Sequence, residues 1–165
     1  MLLNPNRYWW LLPISLVCAF LWQFWPLPLS VRVFAPDAIV VATLYWATRR
    51  PPRVSGGWAL IIGLARDSIA GSPLGTHALA LVLITFLAQL LDEQLRSLAI
   101  WQQTIAVGVL CAIYQLIGNG VWMLFYQTDT TLLLPAAIAT GLCWPVCYLV
   151  LNLLEHGYSR RPNRS

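Results

Sequence analysis

Long apolar runs alternate with short polar or proline-bearing breaks along the whole chain, and the breaks divide it into six segments. Residues 8–25 form the first, which stops at Pro26 and Pro28. The second covers residues 33–48, opening at Pro36-Asp37. It is short for a bilayer, so it calls for thinned lipid around it or for protein cover. The sharpest break follows, Arg49-Arg50-Pro51-Pro52-Arg53, where two prolines end a helix and three arginines mark a cytoplasmic loop. The third segment covers residues 54–70 and runs into Gly71-Ser72-Pro73-Leu74-Gly75. The fourth, residues 76–91, ends in the polar stretch Asp92-Glu93-Gln94-Leu95-Arg96. The fifth, residues 98–126, is long enough to tilt, and Gln127-Thr128-Asp129-Thr130-Thr131 separates it from the sixth, residues 132–154. A basic tail follows to Ser165.

Composition turns these segments into candidate membrane spans. Hydrophobic residues make up 59% of the 165 and charged residues 10%, against roughly 25% charged in soluble domains. A span needs about 20 apolar residues, so the length is filled by six helices. The expectation is an all-α integral membrane protein, residues 1–165 forming one six-helix domain. The first run lacks a small-residue cleavage site and reads as a retained span.

The net charge of +4 comes from arginine alone. The arginines sit singly or in small groups between apolar runs, which excludes a nucleic-acid face and fits topology and contact with anionic membrane lipid. With six spans, Arg7, Arg49, Arg50, Arg53, Arg96, Arg160, Arg161 and Arg164 share one side, and Arg32 alone faces the other. That bias predicts both termini in the cytoplasm. Tryptophan and tyrosine near the span ends agree with it.

Few residues can carry chemistry. Arg66 and Asp67 are charges inside an apolar run, each costing roughly 2.5–3.5 kcal/mol at a helix centre. Neighbours on a helix point about 100° apart, so the two do not face each other and one or both need another partner: a polar group on another helix, a second subunit, or the outer interface, which Arg66 could reach by snorkelling. The candidate roles for Asp67 are a buried acid at a binding surface or a topological marker. Gly71 and Gly75 have GxxxG spacing, but Pro73 between them favours a tight turn. His77 starts a helix or faces the outer interface. Gln102, Gln103, Gln115 and Asn119 can bond across helices. Cys18, Cys111, Cys143 and Cys147 form no CxxC pair; Cys143 and Cys147 share a helix face. Neither a catalytic set nor a metal or cofactor motif is present, so the expectation is a non-enzymatic protein without cofactor.

Several patterns together resemble the MreD family of rod shape-determining membrane proteins: Pro36-Asp37, Leu44-Tyr45-Trp46, Arg53 after the proline break, Asp67-x3-Gly71-x3-Gly75, the run Leu98-Ala99-Ile100-Trp101-Gln102-Gln103, and Trp144-Pro145. Arg66 beside the acid departs from the pattern. The resemblance implies a fold similar to the substrate-binding subunits of energy-coupling-factor transporters, and a scaffold in the bacterial inner membrane. It implies binding to MreC within an elongation complex that includes MreB, RodA and a penicillin-binding protein, with a homodimer also open. Asp67, Arg66, Gly71, Gly75, Asp37, Trp144 and Pro145 are then the candidate partner-binding or structural residues. The alternative is a small-molecule-binding transporter subunit with a cavity lined by Asp67, Gln115 or Asn119.

Overall fold

The computed structural model describes residues 10–26, 28, 34–48, 54–126 and 133–157, with backbone only for Arg96, Asn119, 121–126, 133–134 and 155–157. The proline–arginine break around Pro51, the polar loop 127–131, the basic tail, and Arg7 and Arg32 lie outside the described residues. Seven helices and no strands are present among those described. They are α1 (Leu11–Gln23), α2 (Ala38–Ala47), α3 (Gly56–Ala70), α4 (Thr76–Leu90), α5 (Asp92–Ser97), α6 (Ile100–Tyr126) and α7 (Leu133–Gly157).

Within α6 and α7, the stretches Ile100–Gly118 and Pro135–Leu154 are long and apolar enough to cross a membrane. The apolar helices α1, α2 and α4 are shorter. At about 1.5 Å per residue, the 10 residues of α2 extend only half the thickness of a bilayer core. The polar stretch expected to follow the fourth segment as a break is instead helix α5, whose Leu95 is buried.

The core explains why so short a helix is kept. Every residue of α2 from Ile39 to Ala47 is buried, as suits a helix that is apolar all round. It packs against α1, α4 and α7, so protein covers it. Its start is set by Asp37, whose carboxylate accepts from the Val40 amide at 3.3 Å as an N-cap. The Trp46 indole donates to the Ser15 hydroxyl at 2.8 Å, tying α2 to α1. Tyr45 meets Trp46 and Tyr148 edge-on.

Two close crossings hold the remaining helices. The α3–α4 pair meets at Gly63, where an added Cβ would lie 2.3 Å from the Ala78 Cα. The α6–α7 pair meets at Gly141, where an added Cβ would lie 3.0 Å from the Gly108 Cα. Small residues allow such approach, and packing rather than hydrophobic burial drives helix association in lipid. α4 also packs on α6 and α2. One end of the bundle therefore gathers the C-terminus of α3, the N-termini of α2 and α4, and the middle of α6.

Candidate functional site

That end holds the polar residues the apolar helices would otherwise leave stranded. The turn after α3 brings its donors back onto the last turn of the helix. Gly71 (φ +67°) caps α3 in the left-handed region, and Gly75 (φ +99°) precedes α4, so the tight turn favoured over a continuous GxxxG helix is the one formed. Both conformations are strained for a residue with a Cβ. The geometry folds the α4 N-terminus over Asp67, which has no solvent exposure.

Asp67 accepts five hydrogen bonds there. Oδ1 receives the Ser72 hydroxyl at 2.8 Å, the His77 Nδ1–H at 2.7 Å and the His77 amide at 3.2 Å. Oδ2 receives the Gly75 amide at 2.9 Å and the Ala78 amide at 3.4 Å. The carboxylate thus satisfies backbone donors at the start of α4 that have no partner within the helix, and its charge sits at the positive end of the helix dipole.

Arg66 turns the other way, as adjacent helical residues must. Its guanidinium lies 2.6 Å from Asp37 Oδ2, donates to the Tyr114 hydroxyl, and sits 5.3 Å from the centre of the Tyr114 ring. The Arg66 and Asp37 side chains are 12% and 7% exposed, so this pair is held within the bundle and Arg66 does not snorkel. The Asp37 amide donates to Thr140 Oγ1 at 3.0 Å, bringing α7 into the same network. The two halves meet at Tyr114, whose ring lies 5.9 Å from that of His77.

Five helices are thereby joined through one polar cluster. Of the candidate residues, the structure brings Asp37, Arg66, Asp67, Gly71 and Gly75 together. Trp144 and Pro145 lie further along α7. Trp144 is buried beside Tyr148, and Pro145 stands inside the helix. Reading the sequence did not assign Tyr114, Thr140 or His77 to the cluster. The available signal was the polarity of His77 just past a turn that returns the chain onto Asp67. Gln115 lies in α6 one residue beyond Tyr114, and the side chain of Asn119 is outside those described. Cys143 and Cys147 do share a face, with sulfurs 3.4 Å apart.

Chemically the arrangement is a staple between helices. Ser72 and the His77 Nδ1 both spend their hydrogen on Asp67, so His77 is not aligned to activate the serine. Among the described residues no group of three or more histidine, cysteine or acidic side chains is placed to hold a metal.

Comparison with known proteins completes the picture. A family model described as rod shape-determining protein MreD matches residues 6–154. The rod shape-determining protein MreD of Haemophilus influenzae is 30% identical over 151 residues, covering 89% of this chain and 91% of the relative. No solved structure matches the chain. The match runs through every helix described above, and the chain belongs to the MreD family of rod shape-determining membrane proteins.

Proposed function

We propose that this protein is a non-enzymatic scaffold of the bacterial inner membrane. In this reading it crosses the bilayer six times with both termini in the cytoplasm and binds the transmembrane helix of MreC. It thereby helps to maintain rod shape through lateral wall synthesis, within a complex that includes MreB, RodA and a penicillin-binding protein. Family membership supports the shape-determining role, and the arginine distribution supports the topology.

The observation that carries the scaffold reading is the outer face of α3. That helix packs on α4 and leaves Gly57, Trp58, Ile61, Leu64, Ala65 and Ser68 exposed. Gly57, Ala65 and Ser68 are small, which suits close approach by another helix, and Trp58, Ile61 and Leu64 flank them with apolar surface. The same helix carries Arg66 and Asp67 on its inner side, so its position is set by the polar cluster. Asp67 has a supporting role in this account: it fixes the helix that presents the face.

The small-molecule alternative needs a cavity lined by Asp67, Gln115 or Asn119, and the structure bears on the first of these. The acid is fully buried and its oxygens are occupied by donors of its own chain, which counts against that reading.

Co-purification of MreC with tagged protein tests the proposal. Ala65→Trp should expel MreC while leaving expression and thermal stability at wild-type level. Retention of MreC by a well-folded Ala65→Trp protein would refute docking on α3.

A further inference from the structure

Along one edge of the bundle the helices are too short for an ordinary bilayer. Helices α3 and α4 have 15 residues each, about 22 Å at the usual rise, whereas the hydrocarbon core of a bilayer is about 30 Å thick. The backbone fixes both ends of each. Ser55 is extended before α3, Gly71 and Gly75 are left-handed between the two, and α4 gives way after Leu91 to the polar start of α5. Tilt only shortens the reach along the bilayer normal. Leu74, exposed in the turn, adds one residue of chain, at most about 3.6 Å. The gap does not close.

We infer that the bilayer thins against the outer face of the α3–α4 pair, and that this face gathers phospholipids with shorter acyl chains than those beside α7. Helix α2 is shorter still but is sheathed in protein, whereas α3 and α4 are open on their outer side. Leu79, Leu83, Phe86 and Leu90 form an exposed apolar stripe on α4. A short span is accommodated by thinning, by snorkelling or by association. Arg66 does not extend α3 by snorkelling, because it is turned inward to Asp37. A partner helix on α3 leaves the α4 stripe in lipid and relieves part of the mismatch, which favours docking on this edge. The other helix pair has the opposite character. Helices α6 and α7 have 27 and 25 residues, about 40 Å and about 37 Å, and contain the stretches long and apolar enough to cross. Helix α7 packs on α6 and α2, while α3 and α4 pack on each other, so the tall and the short pair present separate faces to lipid. The inference rests on the membrane reading above but not on the MreC partner.

Lipid-resolved fluorescence quenching tests it with the full-length protein reconstituted without MreC. A fluorescent amino acid is incorporated at position 86, on the α4 stripe, or at position 146, exposed on α7. The vesicles are dioleoylphosphatidylcholine with a minor fraction of brominated phosphatidylcholine carrying either myristoleoyl or oleoyl chains. At position 86 the shorter brominated lipid should compete about twofold or more better than the longer one, the size that a modest cost per ångström of mismatch gives. At position 146 that preference should fall to one or below. Positions 79 and 142, also exposed on α4 and α7, replace them if a label disturbs folding. Equal or weaker competition by the shorter lipid on α4, or the same preference on both helices, would overturn the inference. Quenching on α7 with none on α4 would do the same, because protein and not lipid would then cover the stripe. Absence of quenching at both sites would refute the membrane reading itself, and the inference with it.

Discussion

Replacing Asp67 by asparagine removes a charge while keeping the shape of the side chain, and the structure fixes what that costs. All five groups around the carboxylate are donors, whereas asparagine presents one acceptor and one NH2 donor. With the amide nitrogen at the Oδ2 position, the Gly75 and Ala78 N–H groups face another donor. With it at the Oδ1 position, the His77 amide does, and the imidazole and Ser72 hydroxyl must reorient. Either way one or two buried backbone donors lose their acceptor, at about 1–3 kcal/mol each. Asp67→Asn should therefore destabilise by about 2–4 kcal/mol. Asp67→Ala, which leaves all five donors without their acceptor, should cost more than Asp67→Asn, at about 1–3 kcal/mol for each buried donor that finds no water. Equilibrium unfolding in mixed micelles, followed by tryptophan emission, reads both. Ser72→Ala serves as a milder control that removes one of the five donors to the carboxylate. An Asp67→Asn protein within about 0.5 kcal/mol of wild type, the range of an ordinary surface change, would refute the claim that this carboxylate organises the turn.

Three further outcomes follow from the same geometry. Arg66→Met should cost about 3–5 kcal/mol by leaving Asp37 buried without its partner, while Arg66→Met combined with Asp37→Leu should cost less than Arg66→Met alone; a double-mutant cycle in the same unfolding assay reports the coupling. Gly63→Leu puts side-chain atoms into the Ala78 backbone and should destabilise by at least the about 1–3 kcal/mol typical of overpacking, seen as a lower unfolding midpoint. Gly75→Ala meets no atom within 4 Å, so any loss is conformational; about 1–2 kcal/mol is expected from the positive φ, and a neutral result would show that the turn relaxes.

Much of the frame was legible because lipid is a severe solvent. Apolar runs and proline breaks locate helices without any knowledge of their packing; α1, α2, α3, α4 and α6 lie within the expected segments, whereas α7 runs on to Gly157 and α5 occupies the polar stretch after the fourth. The Gly71–Gly75 turn was readable from Pro73, and the need of Arg66 or Asp67 for a partner elsewhere from the angle between neighbouring helical residues. The identities of those partners were not readable. Arg66 and Asp37 are 29 positions apart, and Asp37 and Thr140 are 103 apart, so their pairing depends on how helices pack. Asp37 looked like an opening residue of the second segment and is that, but its second oxygen also neutralises Arg66. Helix α5 was missed because Asp92-Glu93-Gln94 has the polarity of a loop, although these residues favour a first helical turn.

Site-specific photocrosslinking in living cells, with the crosslinker placed at position 65, 68 or 149, tests the scaffold claim most directly. Docking on the exposed face of α3 predicts an adduct with MreC from positions 65 and 68 and none from position 149, on the outward side of α7. Adducts from 149 alone, or an absence of MreC adducts at all three positions in rod-shaped cells, would contradict the account.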